Sequence, residues 1–304
     1  MLNSNKRSAG KSVSGWPKAG DLFLLAAVLA WGVNFPIAKF VLGYMPPVVF
    51  SATRYFAAAG ILFVLLLING QSLKINLKEA GMLLLIGFLG IALFQGGWAF
   101  GLSLTTASKA SILVATSPVF GALLVSFRGE KTSFLGWVGV LVSLAGVAVI
   151  INNNLTEITV GGGSFLGDVL VIGAAFVWAI YTIVSGPMVM KRGPLWVTAW
   201  AMLFGAIILT GADLEAVLNT NYTAIPTLGW IAWFATAILG GALAFVWYCS
   251  GISRLGVARG MAYSFLIPVV AIATSIVFFG ETLSFVQMGG VVIVMAGIQL
   301  TRRN

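Results

Sequence analysis

The sequence contains no histidine and only one cysteine, Cys249, among its 304 residues. Histidine is the commonest general base and proton relay in proteins, so its absence removes a main route to acid–base catalysis. Without a cluster of cysteine and histidine the chain has no zinc or iron site, and a single thiol forms no intrachain disulfide. Since no nucleophile motif is present either, we expect a protein that is not an enzyme and that holds no metal or other cofactor.

Charged residues are scarce as well. They make up 8% of the chain and hydrophobic residues 60%, whereas about a quarter of the residues of a soluble protein are charged. The chain is therefore expected to lie in a lipid bilayer. Because backbone groups in lipid have no water to bond, long and continuous apolar stretches must be helical. The composition thus predicts an all-α integral membrane protein.

Apolar stretches near the roughly 20 residues that cross a bilayer recur ten times, which predicts ten transmembrane helices. Five precede and five follow a polar linker that contains three successive glycines. The predicted spans are about 20–43, 47–69, 80–104, 109–128, 134–151, 166–189, 195–213, 228–251, 258–279 and 285–301.

The fourth and ninth stretches share one plan. Lys109–Ser133 and Arg259–Ser284 each open on a cation, contain a proline, and close on a Gly-Glu pair with a serine three residues past the glutamate. The two prolines, Pro118 and Pro268, stand 268 − 118 = 150 residues apart. We therefore interpret the chain as two copies of one five-helix unit.

This duplication predicts the organisation of the whole chain. An amino-terminal tail covers residues 1–18, the first five-helix repeat 19–151, an external linker 152–165, the second repeat 166–301 and a carboxy-terminal tail 302–304. Because each repeat holds an odd number of helices, the second enters the membrane with the opposite orientation. Inverted repeats place a substrate site at their interface, near the bilayer midplane.

The lysines and arginines predict the orientation in the membrane. If the amino terminus is cytoplasmic, all 17 except Lys39, Arg54 and Lys109 lie on the cytoplasmic side, in agreement with the positive-inside rule. The net charge of +9 is then a topology signal, and both termini are cytoplasmic. The expected partners are the lipid bilayer and a small-molecule substrate, with no nucleic acid. A monomer is compatible with the sequence, which does not specify the oligomeric state.

Several motifs carry a family resemblance. AWGVNFPIAK in the first stretch, PPVVFSATRY in the second, and SFRGEKTS and FFGETLS at the ends of the equivalent fourth and ninth stretches resemble the EamA-type members of the drug/metabolite transporter superfamily. The resemblance implies ten helices, a bacterial inner-membrane location and export of small metabolites, with amino acids, including aromatic ones, prominent among the cargoes. It does not fix the substrate, and cationic drugs or nucleotide-sugar-like metabolites remain alternatives.

Aromatic and polar residues lie together on single helix faces, and lipid-facing surfaces avoid this combination. Trp31 and Asn34 stand three residues apart in the first stretch, and Trp178 and Tyr181 repeat that spacing in the sixth. Such faces indicate a cavity with aromatic walls and a few hydrogen-bonding points, as in small-molecule sites. The predicted substrate-binding residues are Trp31, Asn34, Gln95, Trp98, Trp178, Tyr181, Tyr248 and Tyr263.

Each of these residue types has a structural alternative. Tryptophan and tyrosine also occupy membrane interfaces, and amides such as those of Asn34 and Gln95 also bond between helices. Arg54 lies about seven residues into the second stretch, where a charge is costly to bury. We expect Arg54 to pair with a partner or a carbonyl, or to bind a substrate carboxylate.

A second group of residues is predicted to control access to the site. The prolines interrupt apolar helices, where the missing N–H and the ring produce either a hinge or a static kink. The cations that begin the same helices either stabilise gates or attract an anion, and the glutamates that end them act as gates, as helix caps or as partners of loop cations. The predicted hinge and gate residues are Pro118, Pro268, Lys109, Arg259, Glu130 and Glu281.

Acidic residues lie at predicted helix ends or in loops, and none is at mid-membrane. Since buried carboxylates are the usual proton and sodium coupling groups, we expect uniport or exchange down a substrate gradient. A channel would need a continuous polar row along several helices, whereas this sequence shows isolated polar points. The sequence therefore predicts a secondary transporter that exports small metabolites by alternating access, with a channel-like facilitator as the alternative.

Overall fold

The computed structural model describes residues 19–127, 134–151, 163–256, 260, 263–280 and 283–301, and within these ranges the chain is helical, without a strand. The helices are α1 (Ala19–Val41), α2 (Pro47–Ile68), α3 (Leu77–Leu104), α4 (Ala107–Val114), α5 (Ser117–Phe127), α6 (Phe134–Ile151), α7 (Gly163–Arg192), α8 (Pro194–Ala212), α9 (Leu214–Asn219), α10 (Thr227–Leu255), α11 (Ile267–Phe279) and α12 (Phe285–Thr301). α3 contains a π-helical segment at Phe88–Leu93, and α10 contains one at Thr236–Leu243. Short 3₁₀ turns at Tyr222–Ala224 and Ser264–Leu266 precede α10 and α11.

Seven helical runs in these ranges are long and apolar enough to cross a membrane. They are α1, α2, α3, the α4–α5 run as far as Leu124, α7 from Phe165, α8 and α10. The remaining predicted spans correspond to shorter apolar stretches in the part of the chain that the structure describes. These are Phe134–Ser143 within α6, Ile267–Phe279, which is α11, and Phe285–Gly297 within α12. In the described ranges the prediction of a helical membrane protein is confirmed, and seven of its ten predicted spans reach membrane-crossing length; the count of ten transmembrane helices stays a prediction.

The two ends of α1 contact different helices. Near its start, a Cβ on Gly20 would lie 2.7 Å from the Leu255 side chain at the end of α10. At its end, Lys39 Nζ donates hydrogen bonds of 2.8 and 2.9 Å to the carbonyls of Leu102 and Ser103, at the end of α3. The end of α1 and the end of α3 therefore lie on one side of the bundle, and the end of α10 lies on the other.

α7 begins on the side where α1 ends. A Cβ on Gly101, near the end of α3, would lie 2.7 Å from the carbonyl oxygen of Gly167 in the first turns of α7. Small residues of this kind let membrane helices approach closely. α1 and α7 thus start on opposite sides of the bundle, as the first helices of inverted units would. We call the side where α1 ends and α4 begins the Lys109 side, and the side where α3 begins the Glu79 side.

The remaining helix contacts show that each central helix packs against helices of the other unit. α1 packs against α10 and α11, while α7 packs against α3 and α5. α2 packs against its counterpart α8, and α6 packs against its counterpart α12. The central helices α1 and α7 therefore bring their inward faces to the interface between the two units.

The two π segments occupy equivalent positions, since they begin 236 − 88 = 148 residues apart. A Cβ on Gly90, in the first segment, would collide with the Tyr181 ring of α7, and a Cβ on Gly240, in the second, would collide with the Asn34 side chain of α1. These glycines therefore let each central helix approach the facing π segment. π turns are frequent at functional sites, and the sequence pattern did not predict them.

The α-helical conformation is interrupted just before each predicted hinge proline. α4 ends at Val114 and α5 begins at Ser117, so Pro118 is the second residue of α5. Pro268 is the second residue of α11 and follows a 3₁₀ turn. In the first turn of a helix the missing N–H leaves no hydrogen bond unmade. Both predicted mid-helix positions are thus helix starts, and the hinge role stays a prediction.

Candidate functional site

A cavity lies at the centre of the bundle, where α1, α3 and α7 meet the breaks before α5 and α11. Its empty volume, including the space open to solvent at its mouth, is about 440 Å³. Five of the eight predicted substrate-binding residues line it: Trp31, Asn34, Gln95, Trp98 and Trp178. The other lining residues, which were not among those predicted, are Phe35, Phe94, Val114, Ser117, Gly240, Ser264 and Ile267.

Aromatic rings form most of the cavity wall. The Trp31 and Trp178 rings meet edge to face with their centroids 5.5 Å apart, and Trp98 meets Phe35 in the same way at 5.3 Å. Such pairs contribute about 0.5–1.5 kcal/mol each beyond the burial of their area. Trp31 and Trp178 are buried near the middle of α1 and α7. Their position fits a cavity wall rather than an interfacial belt, which would lie at helix ends.

Two polar side chains in the wall carry atoms without hydrogen-bond partners. These atoms are Asn34 Oδ1 and Ser117 Oγ, both buried. A buried polar group left unpaired costs about 1–3 kcal/mol, so a hydrogen-bonding ligand or water in the cavity would be favoured beside them. Trp31 is already paired, because its Nε1–H donates to the carbonyl of Gly240 at 3.0 Å, inside the π segment of α10.

Gln95 connects the wall to a buried charge. Its Oε1 accepts a hydrogen bond of 3.0 Å from Arg54 Nη2, which also donates to Tyr55 Oη at 2.8 Å. Arg54 is 0% exposed in α2, and its guanidinium carbon lies 4.5 Å from the centroids of the Phe50 and Tyr55 rings and 5.4 Å from that of Trp98. The partner expected for Arg54 is therefore a set of neutral side chains.

Two of the remaining predicted residues lie behind the aromatic wall. Tyr181 stacks on Trp178 with the ring centroids 4.9 Å apart, and the Tyr248 ring lies 5.1 Å from those of both Trp31 and Trp178. Both tyrosines are buried, and neither borders the cavity in this conformation. They support the tryptophans from the side away from the cavity.

Polar contacts between helices close the bundle on both sides of the cavity. On the Lys109 side, Lys109 Nζ pairs with Asp168 Oδ2 at 2.5 Å, and Asp168 Oδ1 accepts a hydrogen bond of 3.0 Å from Thr105 Oγ1. On the Glu79 side, Tyr263 Oη donates to Asp21 Oδ1 at 2.6 Å. The two carboxylates are equivalent, since 168 − 21 = 147 residues separate them. Tyr263 thus belongs to a closure and does not line the cavity.

A further ion-pair cluster links α3 to α7 on the Glu79 side. Glu79 accepts hydrogen bonds from Arg192 Nη2 at 2.6 Å and from Lys191 Nζ at 3.1 Å. These two cations are partly exposed, unlike the buried Lys109. Three predicted gate residues, Glu130, Arg259 and Glu281, lie outside the described residues.

The fold and the site define a multi-pass membrane protein whose two halves both line a central cavity. The EamA-like transporter family model matches residues 18–152 and again residues 165–303, so the chain belongs to the EamA-like transporter family. Membership in this family makes the protein a membrane transporter. The family and the relatives named below are transporters rather than enzymes.

The relatives align with more than nine tenths of the chain. An "Uncharacterized transporter YvbV" of Bacillus subtilis (strain 168) is 30% identical over 292 residues, which cover 93% of this chain and 92% of the relative. A "Probable amino-acid metabolite efflux pump" of Salmonella typhimurium is 29% identical over 304 residues, covering 93% and 94%. A solved structure described as "Crystal structure of protein" has a TM-score of 0.69 at 19% identity and covers 92% of this chain and 95% of its own, which shows a shared fold.

Proposed function

We propose that this protein is a ten-helix secondary transporter of a bacterial inner membrane, with cytoplasmic termini, that exports neutral amino acids, including aromatic ones, by alternating access. The central cavity carries this proposal, because three tryptophans from the two units meet around it together with two unpaired polar atoms of the first unit. Transporters built from inverted repeats bind their substrates at such an interface.

The character of the wall supports an amino acid as cargo. An aromatic wall with a small number of polar groups suits a molecule that has an apolar side chain and one polar end. The similarity to a protein named as a probable amino-acid metabolite efflux pump supports the same cargo class.

The rings and the polar groups of the wall would have different roles in binding. Trp31, Trp98 and Trp178 would contact the ligand's apolar portion through their rings, while Asn34 and Gln95 would supply hydrogen bonds. Asn34 Oδ1 is an acceptor without a partner, so it suits an ammonium or amide donor on the ligand. Each predicted residue that borders the cavity therefore has a role in this proposal.

The surroundings of the cavity support uniport or exchange rather than proton coupling. No aspartate or glutamate lines the cavity within the described ranges. Asp21 and Asp168 are occupied at the two closures by Tyr263 and Lys109. A substrate gradient would therefore drive export without a titrating carboxylate in the path.

Alternating access would use the two closures in turn. Opening towards the Lys109 side would require the Lys109–Asp168 ion pair to separate, and opening towards the Glu79 side would require the Tyr263–Asp21 hydrogen bond to break. The helix breaks before Pro118 and Pro268 lie beside the cavity, where a change in backbone angles would tilt α5 or α11. Pro118 and Pro268 are therefore the proposed hinges.

Transport into proteoliposomes tests this function. The purified protein should take up labelled phenylalanine, tryptophan or another neutral amino acid down its gradient, with little change when a pH gradient is imposed. The double variant Trp31→Ala/Trp178→Ala should lose this uptake, because it removes both rings from the wall. Trp137→Ala is the matched control, since Trp137 is an exposed tryptophan on α6.

The other candidate cargoes are outcomes of the same experiment. The panel should include cationic drugs, polyamines and nucleotide sugars, and transport of one of these without any amino acid would overturn the proposal. Single-channel conductance in planar bilayers would instead identify a channel-like facilitator. Size-exclusion profiles and thermal unfolding of the variants separate a lost site from a lost fold, and Trp31→Phe offers a milder change at the same position.

A further inference from the structure

Arg54 carries a charge that no acidic side chain balances in the described ranges. The ion pairs there involve Lys109, Lys191 and Arg192, and none includes Arg54. Arg54 Nε and Nη1 also have no hydrogen-bond partner. A cation within a transmembrane helix is costly, and such residues normally pair with one another or mark a substrate pathway. An anion that arrives with a ligand would supply the missing partner.

Gln95 connects the Arg54 guanidinium to the cavity through a hydrogen bond. A guanidinium has only donors, so the Gln95 oxygen must face Arg54, as observed at 3.0 Å. The Gln95 amide nitrogen then supplies the two N–H donors of that side chain, and Gln95 lines the cavity. Its N–H donors are polarised by the guanidinium behind them, since hydrogen bonds in a chain strengthen one another. This part of the wall therefore presents donors backed by a positive charge.

The rest of the wall does not offer a comparable negative charge. The unpaired acceptor is the neutral Asn34 Oδ1, and no described lining residue is acidic. The electrostatic environment of the cavity is therefore positive at Gln95 and only weakly negative elsewhere. A ligand's carboxylate gains a charged partner in this environment, whereas a ligand's ammonium gains only a dipole and the faces of aromatic rings.

We propose that Arg54, acting through Gln95, makes the cavity selective for ligands that carry a carboxylate. The inference rests on the proposed function and narrows its cargo: the carboxylate is required for recognition, and the amino group is not. Arg54 is a specificity-determining positioning residue in this scheme, because Gln95 and not Arg54 borders the cavity. Amines that lack a carboxylate, including cationic drugs, are excluded.

A purely structural role for Arg54 leads to a different expectation. Its contacts with Phe50 and Tyr55 would then hold α2 in place, and its removal would lower stability without changing which ligands are preferred. The measurement that separates the two roles is a ratio. It is the concentration of phenylalaninamide that halves uptake of labelled phenylalanine into proteoliposomes, divided by the concentration of unlabelled phenylalanine that has the same effect.

The experiment compares this ratio among variants. The wild-type protein should prefer phenylalanine over phenylalaninamide by about 100-fold, which corresponds to about 2.8 kcal/mol and is typical of a hydrogen bond to a charged group. 3-Phenylpropionate, which keeps the carboxylate without the amine, should still compete. Arg54→Met should reduce the preference to less than about threefold, and Arg54→Lys should restore most of it because the charge returns. Lys78→Met, an exposed cation on α3, should leave the preference unchanged.

A second variant keeps the experiment decisive if Arg54→Met does not fold. Gln95→Glu retains Arg54 and gives it a carboxylate partner, so the wall becomes neutral or negative and the preference should shift towards phenylalaninamide. If either folded variant keeps the wild-type preference while transport of phenylalanine persists, the role of Arg54 is wrong and the proposed function stands. If the wild-type protein transports no amino acid and no carboxylate competes, the proposed function fails and this inference fails with it.

Discussion

The two halves of the protein share a scaffold but differ at the wall of the cavity. Trp31 and Trp178 are identical counterparts, since 178 − 31 = 147 residues separate them, and both line the cavity. Three other equivalent pairs are Asn34 and Tyr181, Gln95 and Phe245, and Trp98 and Tyr248, separated by 147, 150 and 150 residues. In each of these pairs the residue of the first unit borders the cavity, and the residue of the second unit is buried in packing contacts.

Under the proposed function, this difference would let a nearly symmetric scaffold bind an asymmetric ligand. In the first unit, small or amide side chains leave space beside the tryptophans, and Gln95 connects that space to Arg54. In the second unit, Phe245 and the tyrosines fill the equivalent space with rings; Phe245 meets Trp178 edge to face at 5.6 Å. Under the proposed function, a ligand would therefore be held mainly against the first unit's wall, with its polar end at Gln95.

Copying the second unit's residues onto the first should have the largest effect. The double variant Asn34→Tyr/Gln95→Phe replaces both amides by the rings that occupy the equivalent positions, so it should fill the cavity. We expect uptake to fall to the level of protein-free liposomes. The matched control is Asn69→Tyr/Gln71→Phe, which makes the same exchanges at exposed positions after α2. Uptake near the wild-type rate by the first variant, if it is folded, would show that this wall is not the substrate site.

The closures offer a second comparison, between the Lys109 side and the Glu79 side. Asp168→Asn leaves Lys109 buried without its carboxylate, and removing one member of a buried ion pair costs about 3–5 kcal/mol. Glu79→Gln should cost less, because its partners Lys191 and Arg192 remain partly exposed to solvent. Thermal unfolding in detergent should therefore give a clearly lower midpoint for Asp168→Asn than for Glu79→Gln.

Compensation at the same site sharpens this test. Adding Lys109→Met to Asp168→Asn removes the unbalanced charge and should recover part of the lost stability. A double variant that is no more stable than Asp168→Asn alone would mean that the ion pair is not the contact that matters on the Lys109 side.

The sequence predicted the fold better than the details inside the helices. Composition and hydropathy depend on the solvent around a segment, so they located the apolar runs; the span expected at 20–43 is a helix at Ala19–Val41. The span expected at 109–128 is instead divided into α4 and α5. The π segments escaped prediction because the apolar sequence around Gly90 and Gly240 fits an α-helix equally well. The role of these glycines is visible only in their contacts with Tyr181 and Asn34 on other helices.

The site shows the same limit. Helical spacing identifies which residues share a face, but not which layer of a packed interior they reach, so Tyr181 and Tyr248 were grouped with residues that border the cavity. Tyr263 lies next to a 3₁₀ turn, where α-helical spacing does not determine side-chain direction. Arg54 was recognised as costly, but its partner on α3 depends on a contact between helices that no local pattern encodes. That the five lining residues bind substrate stays a prediction.

The paired glycines of the π segments should show a moderate and unequal effect. Gly240→Ala pushes on Asn34, a cavity residue, whereas Gly90→Ala pushes on Tyr181 behind the wall. Overpacking of this kind costs about 1–3 kcal/mol in either case. We expect both variants to unfold at lower temperature, with only Gly240→Ala also weakening competition by unlabelled phenylalanine. Gly173→Ala, where a Cβ would meet nothing within 4 Å, is the control and should unfold no earlier than the wild-type protein.

The smallest effect is expected from the hydroxyl of Tyr181. Its Oη lies 3.9 Å from Cys249 Sγ, a weak contact, and the ring that supports Trp178 remains in Tyr181→Phe. Uptake competition by phenylalanine should therefore change by less than about threefold, which is under 1 kcal/mol. Asn34→Leu, at the equivalent position in the first unit, removes an unpaired acceptor in the wall and should weaken competition by about tenfold. Equal losses in the two variants would mean that the ligand reaches both halves, and the asymmetry of the wall would then not determine how it binds.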